Sequence, residues 1–211
     1  MKKLLLILAI MTVASLAHGQ IVITGVYDCT LPGGIPKGVE LYCCSDVGNL
    51  AEYGISSVNN GGGSNGVEYH FPATGLIPGG TYIYVASEST AFQSWFGFAP
   101  DYTTGAMSIN GDDAIELYYY DTVVDVFGDV DMDGSGEPWE YMDGWAKRNT
   151  LTGPDGSTFV LANWSFSGPN ALDGETSNDT AQTPFPLGGF ECDQAVPTVD
   201  VNWGAVKSLY R

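Results

Sequence analysis

Positive charge is what this chain has least of. Its 211 residues hold 7 lysines and arginines against 25 aspartates and glutamates, a formal net charge of −18. Lys2 and Lys3 belong to a leader-like start, so the remainder keeps five basic side chains and a net charge of −20. Phosphate backbones and anionic lipid are held through lysine and arginine, which disfavours direct nucleic-acid binding and adhesion to an anionic membrane. Histidine is scarcer still, at His18 and His70. With one histidine outside the leader and no Cys-x-x-Cys spacing, zinc is disfavoured. His70 lies in the alternating run EYHFPA and reads as a strand residue rather than a general base. No segment after the leader supplies the roughly 18 successive apolar residues of a membrane-spanning helix.

What is present begins with that leader. MKKLLLILAIMTVASLAHG has a basic start, an apolar run from Leu4 to Ala14 and small residues near a cleavage point, so residues 1–19 read as a secretory signal. The expected location is extracellular or cell-surface. Cys29, Cys43, Cys44 and Cys192 then meet an oxidising compartment, which allows three pairings. Cys43 and Cys44 are neighbours in VELYCC, where a strand turns them to opposite faces. The expectation is that one pairs with Cys29, joining two early strands, and the other with Cys192.

The body is segmented as β-structure. IVITGVYD, KGVELYCC, EYHFPA, TYIYVASE, DAIELYYYD, TVVDVFGD and TFVLANWSF are short runs rich in Val, Ile, Tyr and Phe between Gly, Pro, Asn and Asp clusters. Seven such runs predict an all-β fold of two packed sheets. In AIELYYYDTVVDVFG, Ile115 and Leu117 share one face and Glu116 and Tyr118 the other, with a turn at Tyr120–Thr122. The returning strand directs inward either Val124 and Val126 or Val123 and Asp125. SESTAFQSWFGF predicts a short helix across one end of the sandwich, capped at Ser87 or Ser89, with Phe92, Trp95 and Phe96 apolar and Gly97 and Pro100 closing it. Residues 20–168 form the expected sandwich, and 169–211 an extension and C-terminal tail. Within the tail, Trp203, Val206 and Leu209 or Tyr210 have near-helical spacing, suiting a docking helix or a recognition tail.

FGDVDMDGSGEPWEY carries the most specific chemistry. Asp129, Asp131, Asp133, Gly134, Ser135, Glu137 and Glu140 occupy positions 1, 3, 5, 6, 7, 9 and 12 of a twelve-residue calcium loop. The alternating aspartates can converge from a tight coil, Gly134 can make the bend, Ser135 can offer its carbonyl, Glu137 can act through water and Glu140 can supply two oxygens. The usual flanking helices are missing, and Gly136 stands where such loops carry an apolar residue. Calcium is the expected ion, with structural stabilisation as its role, and a solvated acidic loop holding no ion is the alternative. Trp139, Tyr141 and Trp145 form a candidate ligand-binding patch beside the loop, for an extracellular glycan or a surface protein, with a buried role for at least one of them the equal alternative. The competing reading is a hydrolase, or a hydrolase accessory subunit, acting on polysaccharide or nucleic acid, with Glu137, Glu140 or Asp143 as paired carboxyl groups. Asn163-Trp164-Ser165 and Asn178-Asp179-Thr180 are formal glycosylation sequons.

The order KGVELYCC, YGISS, HFPATGLIPGGTYIYVAS and INGDDAIELYYYDTVVDVFGD resembles the lamin-tail domain of secreted bacterial proteins. The matching residues are Val39, Glu40 and Leu41; Pro78 and Gly79; and Gly111, Asp112 and Leu117, over roughly Ile21 to Asn163. The resemblance implies an immunoglobulin-like β-sandwich with a binding or tethering role, accompanying exported hydrolases or standing in surface proteins. This chain has no room for a separate nuclease or phosphatase domain and extends the hairpin with GEPWEYMDGWAKRN. The resemblance therefore implies a fold more securely than an activity.

Overall fold

Runs of β-branched and aromatic residues between glycine-rich turns build the strands. They are β1 (Ile21–Leu31), β2 (Ile35–Cys43), β3 (Tyr53–Val58), β4 (Tyr69–His70), β5 (Tyr82–Ala86), β6 (Tyr102–Thr103), β7 (Ala114–Tyr119), β8 (Thr122–Phe127), β9 (Trp145–Arg148) and β10 (Trp164–Phe166). The computed structural model describes residues 20–193; the leader and the expected docking helix or tail at 203–210 lie outside them. Six strands form one sheet in the order β10-β9-β1-β2-β5-β6, and four form a second in the order β4-β3-β7-β8. The two sheets pack as a β-sandwich with a single short helix, α1 (Thr90–Phe96). No helix among the described residues is long and apolar enough to cross a membrane.

Alternation decides which side chains enter the core. From the six-stranded sheet come Ile21, Ile23, Val26, Val39, Leu41, Ile83 and Val85, and from the other Tyr53, Ile55, Ile115, Leu117 and Phe127. On β1 the inward positions are three residues apart at Ile23 and Val26, which strict alternation forbids. A bulge between Ile23 and Gly25 resets the phase. A second bulge, in the β7–β8 hairpin, pairs Leu117 with Asp125 but Tyr118 with Val123, leaving Val124 as the extra residue. The register therefore places the aspartate opposite a core leucine.

The outer face of the six-stranded sheet is covered rather than wet. Helix α1 lays Phe92 and Trp95 over Tyr27, Cys29 and Ala86, and the segment after β10 adds Leu172 and Phe185 to the same cluster. Further along, Phe190 and Cys192 cover Val22. The segment from 169 to 193 thus crosses the sheet as a strap, and a disulfide between Cys44 and Cys192 fixes its far end.

The Cys44–Cys192 bond matches one of the two expected. Cys29 does not pair; it and Cys43 are buried free thiols. Cys43 sits in the inter-sheet core and Cys29 in the cluster on the opposite face, so the sheet itself separates them.

Three strands fall outside the seven predicted runs, one of them the two-residue β6. YGISSV of β3 is diluted by glycine and serine, and WAKR of β9 carries two adjacent cations, both buried. Charge in a short run reads as exposed unless its partners are known. Helix α1 lies where expected and ends at Gly97 in the left-handed region; Ser89 holds the N-cap position as predicted, but its side chain makes no capping hydrogen bond. The Glu88 carboxylate instead accepts from Ala91 N at 2.9 Å and Phe92 N at 3.3 Å.

Candidate functional site

The three cationic residues of the described segment are all engaged with carboxylates. Arg148 Nη2 donates to Asp125 Oδ1 and Oδ2 at 2.7 and 2.9 Å, Nη1 donates to Asp155 at 2.7 Å, and Nε donates to the Ile23 carbonyl at 2.6 Å. Asp125 also accepts from Ile23 N at 2.8 Å and Asp155 N at 2.9 Å. The pair thus satisfies both backbone groups of Ile23, where the β1–β9 ladder has stopped at Gly25. Burial pushes the Asp125 carboxyl upward and Arg148 opposes that shift.

Lys147 Nζ donates to Glu40 Oε1, which also accepts from Thr24 Oγ1 at 2.6 Å. Glu40 Oε2 accepts from the Tyr84 hydroxyl and from Gly188 N, each at 3.0 Å. Burial lowers the Lys147 pKa, and the Glu40 charge acts against that lowering. Lys37 pairs with Asp28 at 2.9 Å. Burial raises the Asp28 carboxyl to about 6 despite Lys37 and a 3.4 Å bond from Asp143 N.

The acidic loop joins β8 to β9. Its base is fixed by the Gly111–Asp113 segment: Gly134 N donates to the Asp112 carbonyl at 3.0 Å, Tyr141 N to the Gly111 carbonyl at 2.7 Å and the Tyr141 hydroxyl to the Asp113 carbonyl at 3.1 Å. The Asp113 carboxylate, raised chiefly by burial, accepts from Asn60 N and Asn110 N at 3.1 Å each. Gly63 N reaches the Val130 carbonyl at 2.9 Å and ties a second loop to the first.

The expected metal ligands are used locally. Asp129 accepts from Asp131 N at 3.0 Å and Asp133 from Ser135 N at 2.9 Å, both aspartate turns. Ser135 Oγ donates to Asp112 Oδ2 at 2.8 Å, and Glu140 accepts from Gly136 N at 3.0 Å. Asp129, Asp131 and Asp133 are exposed; Glu137 and Glu140 are half-buried. Among the described residues no group of three or more acidic, histidine or cysteine side chains is arranged to hold a metal ion. The bend also differs from a calcium loop, because the left-handed residue is Gly136 and not Gly134. Gly134 serves packing: a Cβ there would stand 2.6 Å from the Trp139 ring and 2.7 Å from the Asp112 carbonyl. As folded, Asp129, Asp133 and Glu140 are bonded to nearby backbone N–H groups and the acidic side chains are not gathered on one point.

Of the aromatic patch, two rings take the buried alternative. Trp139 and Tyr141 are core residues, packed edge-on against Phe127 with centroids 6.0 and 5.3 Å away. Hydrophobic rings so close to the loop gain more from burial than from waiting for a ligand, at ~2–3 kcal/mol per large side chain. Trp145 is half-buried, its indole N–H held by the Thr183 carbonyl at 2.9 Å. Of the carboxyl groups weighed for catalysis, Glu140 closes the turn at Gly136 and Asp143 turns through φ 47° with its N–H toward Asp28. Sequence reasoning missed a small open cleft of about 210 Å³ beside the loop, lined by residues 128–131 and by Ser157, Thr158 and Phe159. Nothing in the sequence pattern marks the 157–159 segment as its other wall.

Both sequon asparagines have structural work. Asn163 Nδ2 donates to Asp155 at 2.7 Å, and Asn178 exchanges two bonds with the Phe185 backbone, at 3.0 and 2.8 Å. His70 is exposed on the edge strand β4.

Fold and site together define a disulfide-bonded β-sandwich protein with an anchored acidic loop at one end. No family model matches the chain, no curated protein matches it, and no solved structure does.

Proposed function

We propose that this chain is a secreted, non-catalytic binding or surface-organising module whose acidic end meets an extracellular glycan or surface protein, with calcium as a stabiliser of that end. The observation that carries the reading is the display of Asp129, Asp131 and Asp133 on a loop fixed at its base through Asp112, Gly63 and Trp139. Beside them the cleft offers the hydroxyls of Ser157 and Thr158 and the ring of Phe159, the mixture of polar groups and one apolar surface that small polar ligands require. The leader, the disulfide and the lamin-tail resemblance support an exported tethering role.

Calcium enters this reading through rearrangement. Asp129, Asp133 and Glu140 would exchange their bonds to Asp131 N, Ser135 N and Gly136 N for ion ligation. Calorimetric titration of calcium into chelator-treated protein, paired with thermal unfolding, tests it: binding raises the midpoint by linkage, and D129N/D131N removes the rise. No heat and no shift would discard calcium. Glycan-array binding by wild type, lost in D131N/S157A, tests the partner; an array with no signal removes the glycan.

A further inference from the structure

We infer that Glu40 and Lys147 are the two halves of an intramolecular isopeptide bond, an autocatalytic modification site joining β2 to β9 across β1. Both residues are register partners of Gly25, Glu40 from one side and Lys147 from the other. Because Gly25 has no side chain, nothing stands between them on the sheet face, and Lys147 Nζ reaches the Glu40 carboxylate directly. Phe185 covers the pair so closely that a Cβ on Gly25 would lie 2.4 Å from its ring. The lysine nitrogen lies 5.2 Å from the centre of the same ring and 5.9 Å from that of Tyr82. Glu40 is fully buried, and the lysine side chain is 10% exposed.

Three requirements of amide formation meet here. The first is a neutral amine, which an apolar cover favours, because an ion pair removed from water loses its hydration. The second is a polarised carbonyl. Glu40 Oε2 takes two hydrogen bonds at 3.0 Å, from the Tyr84 hydroxyl and Gly188 N–H, where charge would gather on an oxyanion. The third is a proton route, supplied by the Lys147 contact to Oε1 and by Thr24 Oγ1 at 2.6 Å from the same oxygen.

The step balances without an oxidant or co-reactant. Lys147 passes one ammonium proton to Oε1, leaving a neutral amine and a carboxylic acid. The nitrogen lone pair adds to Cδ, and the negative charge rests on Oε2 between its two donors. As the C=O re-forms, Oε1 leaves with the proton it already carries and takes a second from Nζ. An Nζ–Cδ amide and one water result. Fixed proximity replaces the concentration that such a condensation needs in solution, where well-oriented intramolecular reactions reach effective molarities of about 10⁵ M and above.

Intact mass of the purified, reduced full chain, with its N-terminus established, tests the inference. The expected mass is one water below the sequence mass, with a protease digest yielding a branched peptide that contains both Glu40 and Lys147. K147R and E40A should restore the full mass, and E40Q should lose ammonia in place of water. Y84F, which removes one oxyanion donor, should slow appearance of the lighter species in freshly refolded protein. Wild-type protein at full mass, with Glu40 and Lys147 in separate peptides, would overturn the inference whether or not any variant folds, and would leave an ordinary buried ion pair.

Discussion

Arg148 closes on Asp125 through two hydrogen bonds, at 2.7 and 2.9 Å, and the two residues belong to different sheets of the sandwich. With both side chains fully buried, the pair fastens the edge strand β8 to β9 through the interior. Removing Asp125 leaves the buried guanidinium with Asp155 as its remaining carboxylate and strips the Ile23 and Asp155 N–H groups of their acceptor, a loss of about 3–5 kcal/mol. D125A is therefore expected to lower the urea midpoint severely. D125L/R148M, which removes both charges and keeps volume, should cost clearly less than the two single losses added together. A double-mutant cycle with no coupling would show that the pair does not act as a unit.

Asp28 makes stability depend on pH. Its folded carboxyl is raised to about 6, so the folded state holds a proton that the unfolded chain releases from about pH 4 upward. Stability should be greatest below about pH 4, fall as pH rises to about 6 and then level off, by roughly 3 kcal/mol in total. Lys37, Asp143, Cys29 and Tyr141 face this carboxyl; burial raises the Asp143 carboxyl in the same direction and pushes the Cys29 thiol and Tyr141 hydroxyl far above that window. Urea unfolding between pH 4 and pH 7 should lose this slope in D28N. A slope unchanged in D28N would assign the effect to another group.

The thiols are expected to divide two and two. Cys29 and Cys43 are buried, and burial raises both, Cys43 to about 11, so neither offers much thiolate. A thiol reagent should find nothing in the native oxidised protein and two groups after denaturation. C192S frees the strap by opening a link across 148 residues, worth up to about 4–5 kcal/mol on the loop-entropy account. Thermal unfolding with and without reductant should reproduce that loss in wild type and show none in C192S.

Gly25 is required by packing. Alanine there pushes against the Phe185 ring, which is held by Asn178 bonds on either side and has little room to yield. G25A should cost ~1–3 kcal/mol, as overpacked cores do. Faster proteolysis within 169–193 is the accompanying sign, and a strap as resistant as wild type would disprove the contact's importance.

Several features were legible in the sequence because they depend on near neighbours. Ile115 and Leu117 enter the core together, the chain turns at Tyr120, and α1 stops at Gly97, each following from local periodicity or turn chemistry. The acidic loop was legible as a motif but not as a geometry. Its spacing says that carboxylates alternate, whereas Asp112, twenty-three residues before the Ser135 it bonds, determines how the loop is held. Trp139 and Tyr141 stayed open between surface and core for the same reason: an aromatic beside charges reads either way until the ring it packs against, Phe127, is known.

Composition and local pattern alone determined the acidic balance of the chain, its β-rich segmentation and the short helix at Thr90–Phe96. Only the tertiary structure decided that Lys147 and Arg148 are interior, that Cys29 stays free and that residues 169–193 serve as a cover for the sheet. The physical reason is that each of these outcomes depends on which surfaces meet. A buried lysine is tolerable once a carboxylate faces it, a cysteine pairs only with one on its own face of a sheet, and a loop-like segment becomes core when an apolar sheet lies beneath it.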